Sequence, residues 1–380
     1  MSYLYVGSFQ RAKGIRTFSF DEESGEARLI GSGFTEIDSG SALADTERGI
    51  IYFTNQDVEN PAFQFGGGGE VYALKVGDDG NLSLFDKTPS YGVHPAYSAL
   101  SRDRRHMIVT HYTPPFSVAT TVEREENGEI TIKPVLSDST TALFGIEEDG
   151  SFGRILDVVK HPMRPGRKEN PHLHSVNLSP LWDIYAVCDM ASDEIYMFKI
   201  EGDRLVTTGN TPFEVEIGAG PRYSAFHPTA PLLFVNCEHK PLLKVFLYDR
   251  KGTLEPVSSK KILPEGMEEN PRYNPTGMAL SRDGGFLYIT VRGADIVSVF
   301  RIDAETGGAC FHDSYALAGE GPRSCAISPD GNFLAVANKQ SNTVEILKIG
   351  ADGRLSPCSV VDSPSPGVVI FFGKDGENLE

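Results

Sequence analysis

The phrase GAGPRYSAFHP (218–228) returns as GEGPRSCAISP (319–329), each time with an arginine just ahead of an alternating apolar run. Aligned on the residue that closes the run, four copies are marked by Pro180, Pro228, Arg282 and Pro329, spaced by 48, 54 and 47 residues. Six residues before the marker stand His174, Arg222, Thr276 and Arg323; ten after it stand Met190, Glu238, Arg292 and Lys339. These two registers hold one histidine, one glutamate, three arginines and one lysine. The His and Glu could take and return a proton. Arg presents a planar fork suited to carboxylate or phosphate. Such a set, if brought together, would bind an anion and stabilise charge that develops on it.

A repeat must bring these residues together. Short runs of β-branched and aromatic residues, such as GIIYFTN, LLFVNCE and FLYITVR, alternate with turn phrases such as DDGNL, EDGSF, PDGNF and ADGRL. Many short strands with regular turns predict an all-β fold. Looser copies place Arg102 and Asp45 at the marker, and a half-copy, GVVIFFGKDG, occupies 367–376. Seven copies at a period near 50, with three or four strands each, predict a single-domain seven-bladed β-propeller over 1–380. YLYVGSF, GIRTFSFD and ARLIGSGF read as second, third and fourth strands, so the missing first strand is GVVIFF. The two chain ends would share a blade and close the ring, leaving no open sheet edge.

In a blade the first strand starts, and the second ends, at the same rim. Both registers therefore face one mouth of the central channel. The earlier copies add Asn55 and Tyr112 at the second register, and the adjacent Thr54, His111, Asp189 and Asn338 are further candidates to reach it. His172 is expected to face away, and His94, His106, His161, His227, His239 and His312 read as surface or inter-strand residues. Each arginine has an alternative reading, as the structural partner of an acidic residue in the adjacent blade. One stretch within 98–170 breaks the rhythm: the excess lies in 113–170 and reads either as an elaborated blade edge or as a lid beside the mouth. Trp182, in the turn phrase SPLWD, reads as a packing residue.

Composition narrows the ligand. The net charge is −17 and the pI near 5.0, which argues against nucleic acid and anionic membrane surfaces as partners. Concentrating cations at one rim of an acidic protein points to a small anionic ligand. Five cysteines without CxxC spacing argue against a disulfide framework or zinc site and favour the cytoplasm. The N-terminus has neither a basic region nor a long apolar stretch, so neither a signal peptide nor a membrane span is expected. HExxH, GxSxG, P-loop and GxGxxG motifs are absent, and the glycine run FGGGGE reads as a loop.

The phrases NPHLHSVNLSP, GAGPRYSAFHP, LLFVNCE, GGFLYITVRGADIVSVFRI and GNFLAVANKQSNTVEILKI together resemble the lactonase family of seven-bladed propellers. That family includes a bacterial 6-phosphogluconolactonase and the fungal carboxy-cis,cis-muconate cyclase. The resemblance is strongest over 145–350. From the cyclase branch it implies a catalytic set of His174, Arg222, Glu238 and Arg292, which the registers select independently. Here VNCE and TVRG replace the usual VNE and SNRG. Arg323 and Lys339 would add anion binding, with Asp189, His111, Asn338 and Tyr112 nearby. Three functions are compatible with this set. The first is hydrolysis of an anionic sugar lactone, with Glu238, or alternatively His174, as general base. Surrounding arginines would keep Glu238 ionised. The second is lactone formation by intramolecular addition of a carboxylate to a double bond. The third is a non-enzymatic propeller that binds a metabolite or a protein. None calls for a metal or another cofactor.

Overall fold

The structure is a computed structural model, and it describes residues 2–58, 67–114, 118–127, 129–164 and 169–373. Among these residues there is no helix, and the strands form seven sheets of four or five strands plus one two-stranded ribbon. The innermost strands are Pro366–Gly373, Ser39–Asp45, Pro95–Leu100, Leu173–Leu178, Pro221–Phe226, Asn274–Leu280 and Pro322–Ile327, which define blades 1 to 7. Each of these strands neighbours the next, and the circuit returns from blade 7 to blade 1. In blade 1 the inner strand comes from the C-terminal end and pairs antiparallel with Ser2–Ser8, with Leu4 opposite Phe371. The expected ring closure is thus formed by backbone hydrogen bonds between the two ends of the chain.

The core follows the same geometry. Second strands such as Ile50–Asn55, Leu232–Cys237 and Phe333–Asn338 are buried along their whole length, because blades pack on both of their faces. They accordingly read as unbroken apolar runs. Seven hydrophobic clusters lie between consecutive blades, one at every interface. The cluster between blades 7 and 1 joins Phe333 and Ile346 to Leu4 and Phe18. Burial of this kind contributes roughly 25 cal/mol for each Å² of apolar surface removed from water.

The turn phrases lock neighbouring blades. Tyr5, Tyr52 and Tyr288, each on a second strand, donate to the carbonyls of Gly80, Gly150 and Gly353 in the next blade, at 2.7, 2.7 and 3.0 Å. These glycines have φ between 81° and 89°, and a Cβ on Gly80 would lie 2.2 Å from the Tyr3 ring. DDG, EDG and ADG therefore end in glycine for two reasons, backbone conformation and lack of space. Trp182 packs edge-on against Tyr248, as expected of a packing residue.

The irregular stretch resolves into a regular part and an insertion. Ser139–Ile146 and Phe152–His161 are the outer two strands of blade 3. The insertion is the ribbon Val118–Arg124 and Ile130–Leu136, which leaves from the mouth end of the second strand His106–His111. Beyond blade 3 the connection is tied down by an Arg164–Glu194 ion pair and by Asn170, which donates to the Pro114 carbonyl. Of the glycine run, Gly68 and Gly69 precede the strand Glu70–Val76, while Phe65 and Gly66 lie outside the described residues.

Candidate active site

All seven inner strands lose register with their partners near their first residues. The break leaves His174, Arg222 and Arg323 unpaired in blades 4, 5 and 7. In blades 1, 2, 3 and 6 it falls at Gly367, at Gly40 and Ser41, at Ala96, and at Thr276 and Gly277. A bulge bends its strand and re-aims the extra side chain. The recurring first register is this bulge, and in three blades it turns a large polar residue into the channel mouth. The other blades carry small residues because space is short. A Cβ on Gly40 would lie 2.7 Å from the Pro95 carbonyl oxygen, and one on Gly277 would lie 2.7 Å from the Cys325 nitrogen.

The second register is the end of each second strand. There lie Phe9 and Gln10 in blade 1, Gln56 in blade 2, Tyr112 in blade 3, Met190 in blade 4, Glu238 in blade 5, Arg292 in blade 6 and Lys339 in blade 7. With the bulge residues and His94, they enclose a cavity of about 240 Å³ at one mouth of the ring. The channel behind it, about 100 Å³, is walled mainly by small and apolar residues, with Tyr97 and Tyr223 edge to face at 5.5 Å.

Glu238 is the one carboxylate among the described residues on the cavity wall. Its Oε2 lies 2.6 Å from Arg222 Nε and its Oε1 2.9 Å from Arg292 Nη2. Arg292 also donates to Asn274 Oδ1 at 3.3 Å, and its pairing with Glu238 crosses from blade 6 to blade 5. The interblade pairing considered as an alternative for the arginines is thus present for Arg292. Arg222 is 2% exposed and lies over the Tyr223 ring at 4.7 Å. With Nε engaged by Glu238, Nη1 is buried without a hydrogen-bond acceptor. That Nη1 group is a donor in waiting, because unmet buried donors are costly.

His174 is buried between Tyr223 and Tyr112, with ring centroids at 5.0 and 5.9 Å. Burial, reinforced by Arg222 and Arg323, holds its pKa well below the ordinary imidazole value, so the ring is neutral. Its Nδ1 has no hydrogen-bond partner. His172 is not on the cavity wall but directly behind it, stacked on Tyr112 at 4.1 Å. Tyr112 is raised to about 12 by burial and by Glu238, so its hydroxyl keeps its proton.

On the opposite side, Arg323 Cζ lies 3.6 Å over the Phe9 ring and Lys339 Nζ lies 4.4 Å from the same ring. Lys339 donates to Gln10 Oε1 at 2.7 Å. Burial and the neighbouring Arg222 lower Arg323 to about 10; burial and Arg323 lower Lys339 to about 8.

Several expected residues do not reach the cavity. His111 is fully buried, with Nδ1 2.9 Å from the Thr140 carbonyl. Asp189 accepts from the backbone N–H groups of His172 and Ser192 at 2.9 and 3.2 Å. Asn338 is buried, its amide 3.4 Å from Glu345. Each stands one residue before the second-register residue of its blade, and alternation along a strand turns it between blades instead of toward the channel. Asn55 and Thr54 fail likewise: Asn55 accepts from the Asp38 N–H and Thr54 from the Ser41 N–H, while Gln56 takes the rim. Thr276 stays in the wall, bonded to Thr290 and the Pro322 carbonyl.

His94, expected at the surface or between strands, lines the cavity. It sits just before an inner strand with φ at 58°, and burial lowers its pKa to about 4. Phe9 and Gln10, which neither register includes, also line the cavity. Both follow the second strand of the split blade, and the first residue after a second strand is the position of Glu238 and Lys339. Among the described residues no group of His, Cys, Asp and Glu is arranged to hold a metal ion, and no helix is long and apolar enough to cross a membrane.

Residues 3–371 match the profile described as "Lactonase, 7-bladed beta-propeller". The chain belongs to this lactonase family. Among its relatives is the 6-phosphogluconolactonase of Bacillus subtilis, 22% identical over 328 residues that cover 84% of this chain and 83% of that one. The fold is shared with the periplasmic gluconolactonase of Pseudomonas aeruginosa, at a TM-score of 0.81 and 21% identity over 98% of this chain and 99% of that one. A protein from Lactobacillus plantarum superposes at a TM-score of 0.80 with 20% identity, over 98% of this chain and 100% of that one. At these identities the fold carries over, and the chemistry has to be argued from the mouth itself.

Proposed function

We propose that this mouth hydrolyses an anionic sugar lactone, with a 6-phosphogluconolactone as the substrate to try first. The observation that carries the reading is Glu238 held between Arg222 and Arg292 on the wall of a cavity of small-molecule size. Membership of the lactonase family and the named activities of its relatives support it.

In this reading the Glu238 carboxylate takes a proton from a water whose oxygen attacks the lactone carbonyl. The carbonyl oxygen becomes an alkoxide, and Nη1 of Arg222, with Arg292, stabilises it. Collapse breaks the ring C–O bond, and the leaving alkoxide recovers the proton from Glu238, giving the open hydroxy acid. His174 is the alternative base; its neutral ring has a free Nδ1, but two neighbouring arginines oppose its protonation. A cytoplasmic site of action belongs to the same proposal, in keeping with five unpaired cysteines.

The test is turnover of freshly made 6-phosphogluconolactone by the wild type and by Glu238→Gln. Turnover well above spontaneous hydrolysis that falls about 10²-fold or more in the variant is expected, the usual range for a lost general base. Activity within a few-fold of wild type would remove Glu238 from the mechanism. Failure with this lactone, alongside conversion of a carboxymuconate, would transfer the same residues to lactone formation, for which the surplus of arginines suits a polycarboxylate.

A further inference from the structure

The cations of the mouth fall into two groups with different partners. Arg222 and Arg292 share the carboxylate of Glu238. Arg323 and Lys339 have no carboxylate within ion-pairing reach among the described residues; their contacts are the Phe9 ring and the Gln10 side chain. Arg323 is only 9% exposed. Glu238 and Asp38 act on them only from beyond ion-pairing distance, and a buried charge without a direct partner is costly and is kept where something else will supply one.

The surroundings hold this pair in place. Phe9 is pinned by hydrogen bonds across the chain ends: its N–H donates to the Ser365 carbonyl at 2.9 Å, and its carbonyl accepts from Ser365 Oγ at 2.6 Å. Gln10, at φ 61°, is fixed by its N–H to Asp38 Oδ1 at 2.8 Å. Gly367, the bulge residue of blade 1, has no Cβ; one placed there would lie 2.4 Å from Phe9 Cβ and 3.5 Å from Arg323 Nε. The missing side chain lets the ring and the guanidinium meet. Cation–π contact can hold a cation without satisfying its charge.

We infer that Arg323, Lys339, Phe9 and Gln10 form a second anion subsite, at the seam where the ring closes, for a phosphoryl or carboxylate group that the substrate carries away from its reacting carbonyl. This rests on the lactone reading of the Glu238 side. The subsite orients the substrate: its distal anion lies against blades 7 and 1, and its lactone faces blades 5 and 6.

Two measurements test it. The first is calorimetric binding of 6-phosphogluconate, glucarate and gluconate to the wild type and to Glu238→Gln. Tighter binding of a doubly anionic ligand than of gluconate, by about tenfold or more, is expected; the tighter of the two tells phosphoryl from carboxylate. Equal affinity for all three overturns the subsite, even if lactones are turned over. A clear preference with no lactone turnover keeps the subsite and overturns the lactone reading. The second is the ratio of kcat/KM for 6-phosphogluconolactone over glucono-1,5-lactone in Lys339→Met and Phe9→Leu. The ratio is expected to fall about tenfold in Lys339→Met and less in Phe9→Leu, chiefly through KM. Loss of both substrates in equal proportion in folded variants would overturn the assignment.

Discussion

On the blade 5 and 6 side of the mouth, two arginines close on one carboxylate; on the blade 7 and 1 side, an arginine and a lysine lie against an aromatic ring. Both sides are built from the same two positions of the repeat, a bulge residue and a strand-end residue. The outcome depends on what the strand end supplies. Glu238 compensates its blade's arginine, whereas Lys339 adds to the charge of Arg323. A compensated cluster can direct a proton because its geometry is fixed before substrate arrives. An uncompensated one is completed by the ligand. The proposed division of labour, chemistry on one side and anion capture on the other, follows from that single difference.

The strongest way to break this comparison is within the compensated side. Arg222 is 2% exposed with an unpartnered Nη1, whereas the Arg292 side chain is 35% exposed. Arg222→Met is expected to lower kcat by roughly 10²–10³, the scale of a lost oxyanion donor, and Arg292→Met by about tenfold. Steady-state kinetics on variants of matched thermal stability check this. An equal loss in both would mean that the arginines act only as a shared clamp on Glu238.

Acid should act on the buried histidines of blades 3 and 4 before it reaches either cluster. His111, His161 and His172 are lowered to about 4 by burial, and His174 is held well below 6.5. Below the unfolded imidazole value near 6.5 the unfolded chain takes up protons that the folded chain refuses. Stability is therefore full above that pH and is lost as pH falls from 6.5 toward 4. Each fully neutral histidine costs about 1 kcal/mol at one pH unit below its unfolded value. Unfolding free energies from denaturant titrations at about pH 7 and pH 5.5 should differ by at least ~2 kcal/mol. His172→Gln, which removes one such group, should narrow the gap.

A smaller and more selective effect sharpens the comparison from the alkaline side. Lys339 lies at about 8 and faces Arg323, Arg11 and Arg292 on the cationic side and Asp38 on the anionic side. It loses its charge as pH rises through 8, while the guanidinium groups keep theirs. KM for a phosphorylated lactone is expected to rise a few-fold between about pH 7 and 9, and KM for a neutral lactone to change less. Parallel rises would detach Lys339 from substrate binding.

The residues of this mouth were legible to the extent that the repeat is. His174, Arg222 and Arg323 could be found because a bulge recurs at one place in the inner strands. Glu238, Arg292, Lys339, Met190 and Tyr112 followed from the ends of the second strands. His111, Asp189 and Asn338 were misplaced by one residue, and in a strand one residue is a change of face. Asn55 was displaced to Gln56 because the blade 2 marker, Asp45, lies one residue too early: a marker at Thr46 puts Gly40 and Gln56 in the two registers. Phe9 and Gln10 escaped because blade 1 is assembled from opposite ends of the chain, so no local spacing connects its inner strand to its second. His94 is placed by a left-handed backbone turn, which periodicity does not register. The seven blades themselves were plain, because turn glycines and buried second strands recur in nearly every copy.

The least disruptive change falls in the one element that the repeat does not contain. The ribbon Val118–Arg124 and Ile130–Leu136 starts at the mouth rim, yet none of its described residues lines the cavity. Val122 faces Ile132 across the ribbon, and both are exposed, Ile132 at 75%. An elaborated edge predicts that Ile132→Thr shifts stability by no more than about 0.5 kcal/mol, the usual range for an exposed site. It also predicts kcat and KM within about twofold of wild type, since the side chain touches neither anion cluster. A lid would behave differently, because closing over bound substrate uses the apolar face that this substitution weakens. A several-fold rise in KM at unaltered stability would show that the mouth has a moving wall, and that the two clusters are screened from water only when it closes.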